Sequence, residues 1–384
     1  MGPVIVGYGE TELGEVPNSY YEEMTMWAAK NALEDADMGP SDVDGLVASP
    51  PFGSSKVGVY PIAEYLGVMP LSWGATTALG GASHLDSIAS AMRAIDAGLA
   101  ETVLIVSADP FLTRMGRSDA VGSLSSAAGP FEEPANIIPS LYAHAATRHM
   151  DKYGTTEAQL ATVAEIAYRH ASMQRDERTH MTEAKSVDEI LDSPMVAYPF
   201  TQHQCSLVSD GGAAIVVTAS DNVEEDTHDP VRLTGFGAEH THRHITQMPD
   251  FDETGVAAAG AAAMAEADVS HDDIDVLQIY DAFTYNVIRS LEDLGFCEQG
   301  AGGEYVTSGA IELDGEHPTN THGGALAQVH PGLPSGIFHV TEAIRQLRGE
   351  AEATQVDDVE HALVTGSGGL YSTHAVGVFE RGVA

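Results

Sequence analysis

A histidine in a glycine-rich loop, directly ahead of a helix, is the strongest candidate for acid–base chemistry in this sequence. His330 lies in the letters NTHGGALAQVHPGLPSGIFHV, and the same loop contains His322, Gly323, Gly324 and Gly332. Glycine allows backbone to approach a ligand closely, and the N–H groups at a helix start stabilise a developing oxyanion. We therefore expect His330 to move a proton, the three glycines to lie at a ligand, and His322 to be a second acid or base.

A second glycine turn opens a helix at residues 79–86, whose letters are LGGASHLD. Ser83 and Asp86 have the spacing of a capping box, which makes Ser83 a helix N-cap. The alternative is that its hydroxyl acts as a nucleophile, which requires a neighbouring base. Both interpretations stay open, whereas His84 is expected to be structural.

A strand end followed by a helix is predicted at the letters YDAFT, which begin at Tyr280. Side chains at the C-terminal ends of parallel strands gather at functional sites. Tyr280 is either a core aromatic or a phenol that donates a proton to a carbonyl or alkoxide, and Asp281 is expected to cap the helix. Another glycine turn, at residues 366–369, is expected to bring the N–H groups of Gly368 and Gly369 to the same place, with His374 beyond it.

Neither the cysteines nor the histidine-rich letters EHTHRHIT have the pattern of a metal site. Cys205 and Cys297 are too few for a disulfide framework or a four-thiolate zinc site. The spacing of His240, His242 and His244 fits no standard zinc pattern. We expect two structural thiols, a solvated histidine loop and no metal.

The charge balance limits the partners and the compartment. The 384 residues include 57 acidic and 17 basic side chains, with four lysines and a net charge of −40. Such a chain repels nucleic acid and anionic membrane, so we expect neither as a partner. High salt screens the repulsion between these acidic side chains. The charge balance therefore favours a cytoplasmic protein of an extreme halophile over an ordinary acidic protein. An apolar run of about 18 residues is missing, so no membrane span is expected.

Apolar runs alternate with helical patterns in both halves of the chain, which predicts an α/β fold with a parallel sheet. The first half is predicted to contain strands at 3–8, 43–47, 103–107 and 213–218 and helices at 20–38, 59–66 and 79–100. The second is predicted to contain strands at 231–237, 276–280, 361–365 and 372–380 and helices at 254–267, 283–294 and after residue 332. An acidic linker at 221–229 divides the chain into domains 1–222 and 223–384.

Residues 111–200 interrupt this alternation with helices at 138–153, 157–172 and 187–192, which predicts an insertion. It contains eight of the seventeen basic residues: Arg114, Arg117, Arg148, Arg169, Arg175, Arg178, Lys152 and Lys185. Either these side chains pair with neighbouring acids, or the insertion meets the phosphates of a polyanionic ligand. In the second case Arg175 and Arg178 are the candidates for phosphate binding.

Together these stretches resemble the thiolase superfamily, specifically the sterol-carrier-protein-type thiolases and their lipid-transfer-protein-like relatives. The resemblance rests on the Gly80 turn, CSLVSDGGAA, YDAFTYNVIRSLEDLGFC, NTHGG…HPG and GSGGLYSTH, in that order along nearly the whole chain. It implies two similar α/β halves stacked in five layers (αβαβα), with an inserted loop domain that helps to bind coenzyme A. It also implies a dimer, and some archaeal relatives pair with a small OB-fold, zinc-ribbon partner chain.

The sequence departs from the superfamily pattern at the catalytic positions. Where thiolases have nucleophilic cysteines, this chain has the turn ending at Ser83 and the turn at 366–369. Of the catalytic residues only the histidine of the His-Pro-Gly motif is kept, as His330. The resemblance first implies an acyltransferase of the β-ketoacyl-CoA thiolase or acetyl-CoA acetyltransferase type, with Ser83 acylated, His330 as its base, and His322 or His374 as a second acid or base.

Two alternatives to the acyltransferase stay open. One is a retro-aldolase that cleaves β-hydroxyacyl-CoA with Tyr280 or His330 as the base and loop amides around the enolate. The other is an acyl-CoA or lipid carrier without chemistry. In each case coenzyme A enters with the substrate, and no permanently bound cofactor is expected.

Overall fold

The fold is taken from a computed structural model, which describes residues 2–52, 58–116, 138–174, 183–223, 229–243, 247–248, 250–369 and 371–382. The strands are β1 (Val4–Glu10), β2 (Gly45–Ser49), β3 (Trp73–Thr76), β4 (Thr102–Asp109), β5 (Met195–Ala197), β6 (Phe200–Thr201), β7 (Gly211–Thr218), β8 (Val231–His240), β9 (Val276–Gln278), β10 (His361–Gly368) and β11 (Thr373–Arg381).

The helices alternate with these strands, as the sequence predicts. They are α1 (Tyr21–Asp35), α2 (Val59–Leu66), α3 (Ser83–Asp96), α4 (Phe111–Met115), α5 (Ile138–Tyr153), α6 (Glu157–Ser172), α7 (Val187–Leu191), α8 (Gly255–Ala267), α9 (Thr284–Leu294), α10 (Gly302–Thr307), α11 (Gly324–Ala327) and α12 (Ser335–Arg348). None of the helices in the described part of the chain is long and apolar enough to cross a membrane.

Nine strands form one sheet in the order β3-β2-β4-β7-β1-β8-β11-β10-β9. The order β2-β4-β7-β1 in one half of the sheet is repeated as β9-β10-β11-β8 in the other, with one parallel pair followed by two antiparallel pairs in each. The halves join where Ile5 of β1 pairs with Val231 of β8. The predicted sheet is therefore mixed, because β7 and β11 run against their neighbours. The domain boundary at residue 222 stays a prediction.

Three apolar cores lie between the layers of helices and strands. One core packs α1 and α2 against the outer face of the first half-sheet. A second packs α3 and α12 between the two half-sheets, since it contains side chains from β2, β4 and β7 as well as from β9, β10 and β11. A third packs α5, α6, α8 and α9 against the other face of the second half-sheet. The helices α3 and α12 thus form the inner layer.

The inner helix α12 shows why the sequence folds this way. Ile337, Val340, Ile344 and Leu347 recur at helical spacing and are each at most 1% exposed. Burial of each such side chain contributes roughly 1.5–3 kcal/mol. Gly349 ends the helix in the left-handed conformation, with φ of 74°, as a C-cap glycine does. The buried stripe fixes the start of α12 inside the molecule.

Candidate active site

Tyr280 leaves its strand early, which turns its side chain into the interior. The strand predicted at 276–280 ends at Gln278, because side chains replace the strand partner beyond it. The Asn320 amide accepts the Ile279 N–H at 2.7 Å and donates to the Ile279 carbonyl at 2.8 Å. The Tyr280 N–H donates to the hydroxyl of Thr365 at 3.0 Å. These bonds hold the backbone of Tyr280 on both sides.

The ring of Tyr280 lies on the glycine turn that opens α3. A Cβ atom built at Gly81 would lie 2.3 Å from Cε2 of Tyr280 and 2.7 Å from the carbonyl oxygen of Ser367. Any side chain at residue 81 therefore requires the Tyr280 ring to move. The glycine turn that opens α3 is thus covered by an aromatic ring.

Tyr280, His330 and Ser335 form a short hydrogen-bond chain. Oη of Tyr280 lies 3.2 Å from Nε2 of His330, and the buried hydroxyl of Ser335 donates to the same Oη at 3.2 Å. Burial lowers the pKa of His330 to about 4 and raises the pKa of Tyr280 to about 12. At neutral pH the pair is therefore an uncharged imidazole beside an uncharged phenol, so the two can exchange a proton only in step with a proton transfer from a bound substrate.

A segment from the first half of the chain holds the loops of the second half that surround Tyr280 and His330. Ser209 accepts the backbone N–H of His330 through its hydroxyl at 2.8 Å, and its own N–H donates to the His330 carbonyl at 3.3 Å. Two further backbone bonds, each of 2.9 Å, join Ser206 to the Ala282 carbonyl and Leu207 to the Ala325 carbonyl. The position of His330 thus depends on both halves of the chain.

Asp281 was expected to cap a helix, and the structure corrects this. The residue before α9 is Phe283, which makes no side-chain cap. The buried Asp281 carboxylate instead accepts the Ala325 N–H at 2.7 Å and contacts Nε2 of His339 at 3.1 Å. Gly324 must be glycine here, because its φ is +65° and a Cβ would lie 2.1 Å from the carboxylate. Asp281 therefore anchors the loop that leads to His330.

Two of the glycines predicted to bind a ligand pack closely against other parts of the chain. A Cβ at Gly323 would meet Ala171 at 2.6 Å, and one at Gly368 would meet the Leu79 carbonyl at 1.8 Å. Gly332 and Gly369 have positive φ values of 75° and 64°, which favour glycine, and Gly369 is exposed. Binding of coenzyme A by these glycines stays a prediction.

Ser83 makes its hydrogen bond inside its own turn. Its hydroxyl is fully buried and accepts the N–H of Leu79 at 2.7 Å. Ser83 is the first residue of α3, and the N-cap residue is Ala82, which makes no side-chain cap, so the prediction that Ser83 is the helix N-cap is wrong. The neighbouring His84 is also fully buried, and burial lowers its pKa to about 3. A nucleophilic role for Ser83 therefore stays a prediction without a hydrogen-bonded base in the described part of the chain.

His374 and His322 lie around the pair rather than in it. Nδ1 of His374 is 3.0 Å from the Ser367 hydroxyl, and its Nε2 donates to the Tyr371 carbonyl at 3.1 Å. Burial lowers the pKa of His374 to about 4. The buried ring of His322 packs edge-on against His339, with 5.3 Å between the ring centroids. The structure thus brings Tyr280 and His330 together and ties His374 to the glycine turn at 366–369.

The thiols are unsuited to nucleophilic attack. Burial raises the pKa of Cys205 and of Cys297 to about 12, so both are protonated at neutral pH. Among the described residues, no group of three histidine, cysteine or acidic side chains is arranged to hold a metal ion. His240 is the exposed last residue of β8, His242 is half-buried in the loop that follows, and His244 lies outside the described residues.

Most basic residues of the insertion that the structure describes form ion pairs. Arg114 binds Asp109 at 3.0 Å, Lys152 binds Asp252 at 2.5 Å, and Arg169 binds Glu312. Asp252 and Glu312 belong to the second half of the chain, so Lys152 and Arg169 pair with acids outside the insertion rather than with the acids next to them in sequence. Arg117, Arg175 and Arg178 lie outside the described residues, so phosphate binding by the last two stays a prediction.

Sequence reasoning missed Ser335 and Ser209, the two hydroxyls that touch the pair. Ser335 is the first residue of α12, five residues after His330, and that proximity was the available signal. Ser209 lies more than a hundred residues away in sequence, and no local pattern connects it with the histidine.

Comparison with known proteins shows relatives along the whole chain. The family described as Thiolase C-terminal domain-like matches residues 237–381. An acetyl-CoA acetyltransferase of Methanothermobacter thermautotrophicus is 32% identical over 391 residues, which cover 98% of this chain and 99% of that protein. A steroid side-chain-cleaving aldolase of Thermomonospora curvata is 28% identical and covers 95% of each chain.

Solved structures share the fold. The Ltp2-ChsH2(DUF35) aldolase superposes with a TM-score of 0.88 at 26% identity, over 99% of this chain and 98% of that chain. The human mitochondrial 3-ketoacyl-CoA thiolase superposes with a TM-score of 0.74 at 16% identity, over 99% of each chain. These superpositions confirm the predicted thiolase-like α/β fold. Since the archaeal acetyltransferase also matches along nearly its whole length at 32% identity, the chain belongs to the thiolase superfamily.

Proposed function

We propose that this protein cleaves the carbon–carbon bond of a β-hydroxyacyl-CoA by a retro-aldol reaction. The observation that carries the proposal is the hydrogen bond between the Tyr280 phenol and the His330 imidazole, above a turn where any side chain at residue 81 would overlap the Tyr280 ring. A retro-aldol step needs a base and an enolate site but no acyl-enzyme. The higher TM-score of the aldolase, 0.88 against 0.74 for the thiolase, supports the same choice.

The reaction would begin with the β-hydroxyl of the substrate bonded to Oη of Tyr280. That hydroxyl gives its proton to Oη while the proton of the phenol passes to Nε2 of His330. The electron pair of the O–H bond becomes the new carbonyl bond, the Cα–Cβ bond breaks, and its pair becomes the thioester enolate. The proton on His330 then returns through Tyr280 to the enolate carbon, and both residues regain their starting state.

The order of these proton movements follows from the two pKa values. Transfer from a phenol of pKa about 12 to an imidazole of pKa about 4 is strongly unfavourable as a separate step. The substrate proton therefore has to replace the phenol proton as it leaves. In this scheme Tyr280 relays the proton and His330 stores it.

The starts of the two inner helices supply an environment for the enolate. A Cβ at Gly336 would lie 2.1 Å from the carbonyl oxygen of Gly81, so the backbones at the starts of α3 and α12 are in direct contact. The N-terminus of each helix carries positive potential. Convergent helix starts beside Tyr280 favour an enolate formed there.

An acyltransferase is the second candidate, and the 32% identity with the archaeal acetyl-CoA acetyltransferase favours it. In that case Ser83 would carry the acyl group and His330 would activate it. The hydroxyl of Ser83 would first have to leave the N–H of Leu79, to which it is bonded at 2.7 Å.

We further propose that the enzyme is a dimer in the cytoplasm of a halophile and that a small partner chain completes it. The net charge of −40 supports adaptation to high salt. The solved aldolase that this chain resembles bears two protein names in its title, which supports a partner.

The test uses the full chain, purified in high salt together with any chain that co-purifies. β-Hydroxyacyl-CoA thioesters of graded size are offered, and the released aldehyde or ketone and the shortened acyl-CoA are measured by mass spectrometry. Acetoacetyl-CoA with coenzyme A is followed in parallel for loss of the enolate absorbance. We expect cleavage of the hydroxy substrate, a loss of about 100-fold in kcat for Tyr280→Phe, and no loss for Ser83→Ala.

The opposite pattern would contradict the proposal. Thiolysis of acetoacetyl-CoA that disappears in Ser83→Ala and is kept in Tyr280→Phe would establish the acyltransferase. Binding of coenzyme A thioesters without turnover of either substrate, under the same conditions, would support the carrier.

A further inference from the structure

We propose that Ser335 is a positioning residue that fixes the direction of the proton chain between Tyr280 and His330. The inference rests on the proposed retro-aldol function, because it concerns the same pair. Ser335 lies at the start of α12 with a fully buried side chain, and no substrate contact is needed for this role. It acts through the phenol oxygen alone.

The direction of the chain follows from counting donors. The Ser335 hydroxyl donates its one proton to Oη of Tyr280 at 3.2 Å. With Ser335 donating to Oη, we assign the one O–H of the phenol to Nε2 of His330, 3.2 Å away. Nε2 is then the acceptor, which places the proton of the neutral imidazole on Nδ1, a buried nitrogen without a hydrogen-bond partner among the described residues. The order is serine to tyrosine to histidine.

This direction matters for the chemistry. With its proton on the His330 side, the phenol oxygen presents a lone pair to the hydroxyl of a substrate. Donation from Ser335 also strengthens the tyrosine as a donor to His330, since linked hydrogen bonds polarise one another. The same donation stabilises the negative charge that gathers on Oη while one proton leaves and the other arrives.

The hydrogen bond from Ser335 opposes the other influences on the pKa of Tyr280. Burial and the neighbouring Asp281 both raise the pKa of Tyr280, and the hydrogen bond from Ser335 acts in the opposite sense. The location of Ser335 is fixed by its neighbour, because Gly336 packs directly on the Gly81 backbone. The helix start therefore holds the hydroxyl where it reaches Oη.

The first test needs no substrate. Diethyl pyrocarbonate modifies neutral imidazole nitrogen, and the rate at His330 is measured by peptide mass spectrometry in wild type, Ser335→Ala, Tyr280→Phe and the double variant. We expect Ser335→Ala to raise the rate about threefold, because a weaker bond from Tyr280 frees Nε2. In the Tyr280→Phe background the same substitution should change the rate less than 1.3-fold. An equal effect in both backgrounds, or none in either, would overturn the inference.

The second test repeats this cycle on catalysis. Ser335→Ala is expected to lower kcat for β-hydroxyacyl-CoA about tenfold with KM changed less than twofold, and to have no effect on the residual rate of Tyr280→Phe. The matched control is Thr218→Val, which removes a buried hydroxyl-to-hydroxyl bond of 2.8 Å with Thr102 at the far strand end. It should change neither kcat nor the modification of His330. Additive losses in the double variant would show a merely structural serine.

The two tests separate the two proposals. A wild-type protein that cleaves no hydroxy substrate would remove the proposed function, whereas the modification cycle would still decide whether Ser335 acts through Tyr280. Cleavage together with a flat modification cycle would keep the function and remove the role of Ser335.

Discussion

The two inner helices begin alike and do different things. Helix α3 starts at Ser83 and α12 at Ser335, each is 14 residues long, and each serine is fully buried. The hydroxyl of Ser83 accepts an N–H within its own turn, whereas that of Ser335 donates to Tyr280, which follows strand β9. A helix-start serine therefore acquires a chemical role only from what the fold places opposite it.

Substitution of His330, five residues before the start of α12, should have the largest effect on kcat. His330→Gln keeps a polar side chain and removes the base, so we expect kcat to fall about 1000-fold. The measurement is steady-state cleavage of a β-hydroxyacyl-CoA, with the circular dichroism spectrum checked for a native fold. The matched substitution at the first helix start is His84→Gln, and a loss of equal size there would break the comparison.

Gly81→Ala should show the next largest effect, because it places a methyl group of the α3 turn against the ring of Tyr280. The added methyl group would overlap the ring of Tyr280 and the Ser367 carbonyl. We expect about 100-fold lower kcat, since displacement of a catalytic group by an ångström is costly. Gly39→Ala is the control, because its Cβ would meet nothing closer than 3.7 Å. Unchanged activity in Gly81→Ala would show that the ring position is irrelevant.

The pH dependence of kcat/KM tests the protonation state of His330, the histidine ahead of α12. His330 works as a base only when neutral, and burial lowers its pKa to about 4. We expect kcat/KM to stay level from pH 8 to pH 5 and to fall about tenfold per pH unit below pH 4. A rate that falls already near pH 6.5 would contradict a buried neutral His330.

Stability should respond over a different range. The pKa of His330 is 6.5 in the unfolded chain and about 4 in the fold, so between these values the unfolded state binds more protons. His84, with a pKa of about 3, acts in the same sense. The free energy of unfolding that the two neutral histidines contribute is therefore fully present above pH 6.5 and is lost as the pH falls towards 4. Chemical denaturation at pH 7.5 and pH 5 measures this difference.

Ser83→Ala should show the smallest effect on catalysis. Loss of the bond to Leu79 is expected to cost about 1 kcal/mol of unfolding free energy, as for other buried hydrogen bonds. We expect kcat to change less than twofold, in contrast to the tenfold loss for Ser335→Ala. A large loss of kcat with unchanged stability would reverse the roles of the two serines and favour the acyltransferase.

Local patterns in the sequence predicted most of the helices. The bounds of α2, α5 and α6 agree with the prediction, because their ends carry local signals: Gly67 in the left-handed conformation after α2 and the Thr156 capping box before α6. The alternation of strands and helices also predicted the α/β fold. It did not predict antiparallel β7 and β11, because strand direction depends on the path of the chain between strands.

The site could be predicted only in part. A glycine-rich loop before a helix marked His330, and a strand end marked Tyr280. Asp281 was assigned to the wrong partner, because its carboxylate binds amides 44 residues away that no local pattern relates to it. For Ser335 the prediction needed the three-dimensional neighbour, Tyr280, 55 residues earlier in the chain.

The contact of Gly81 with Tyr280 also constrains how such an enzyme can evolve. A nucleophile at residue 81 and an aromatic ring at residue 280 compete for one volume, and the Ser367 carbonyl borders it as well. Their effects on fitness are therefore epistatic: a larger residue at 81 is harmful until residue 280 has become smaller. A side chain at residue 81 therefore becomes acceptable only after residue 280 has been substituted by a smaller residue.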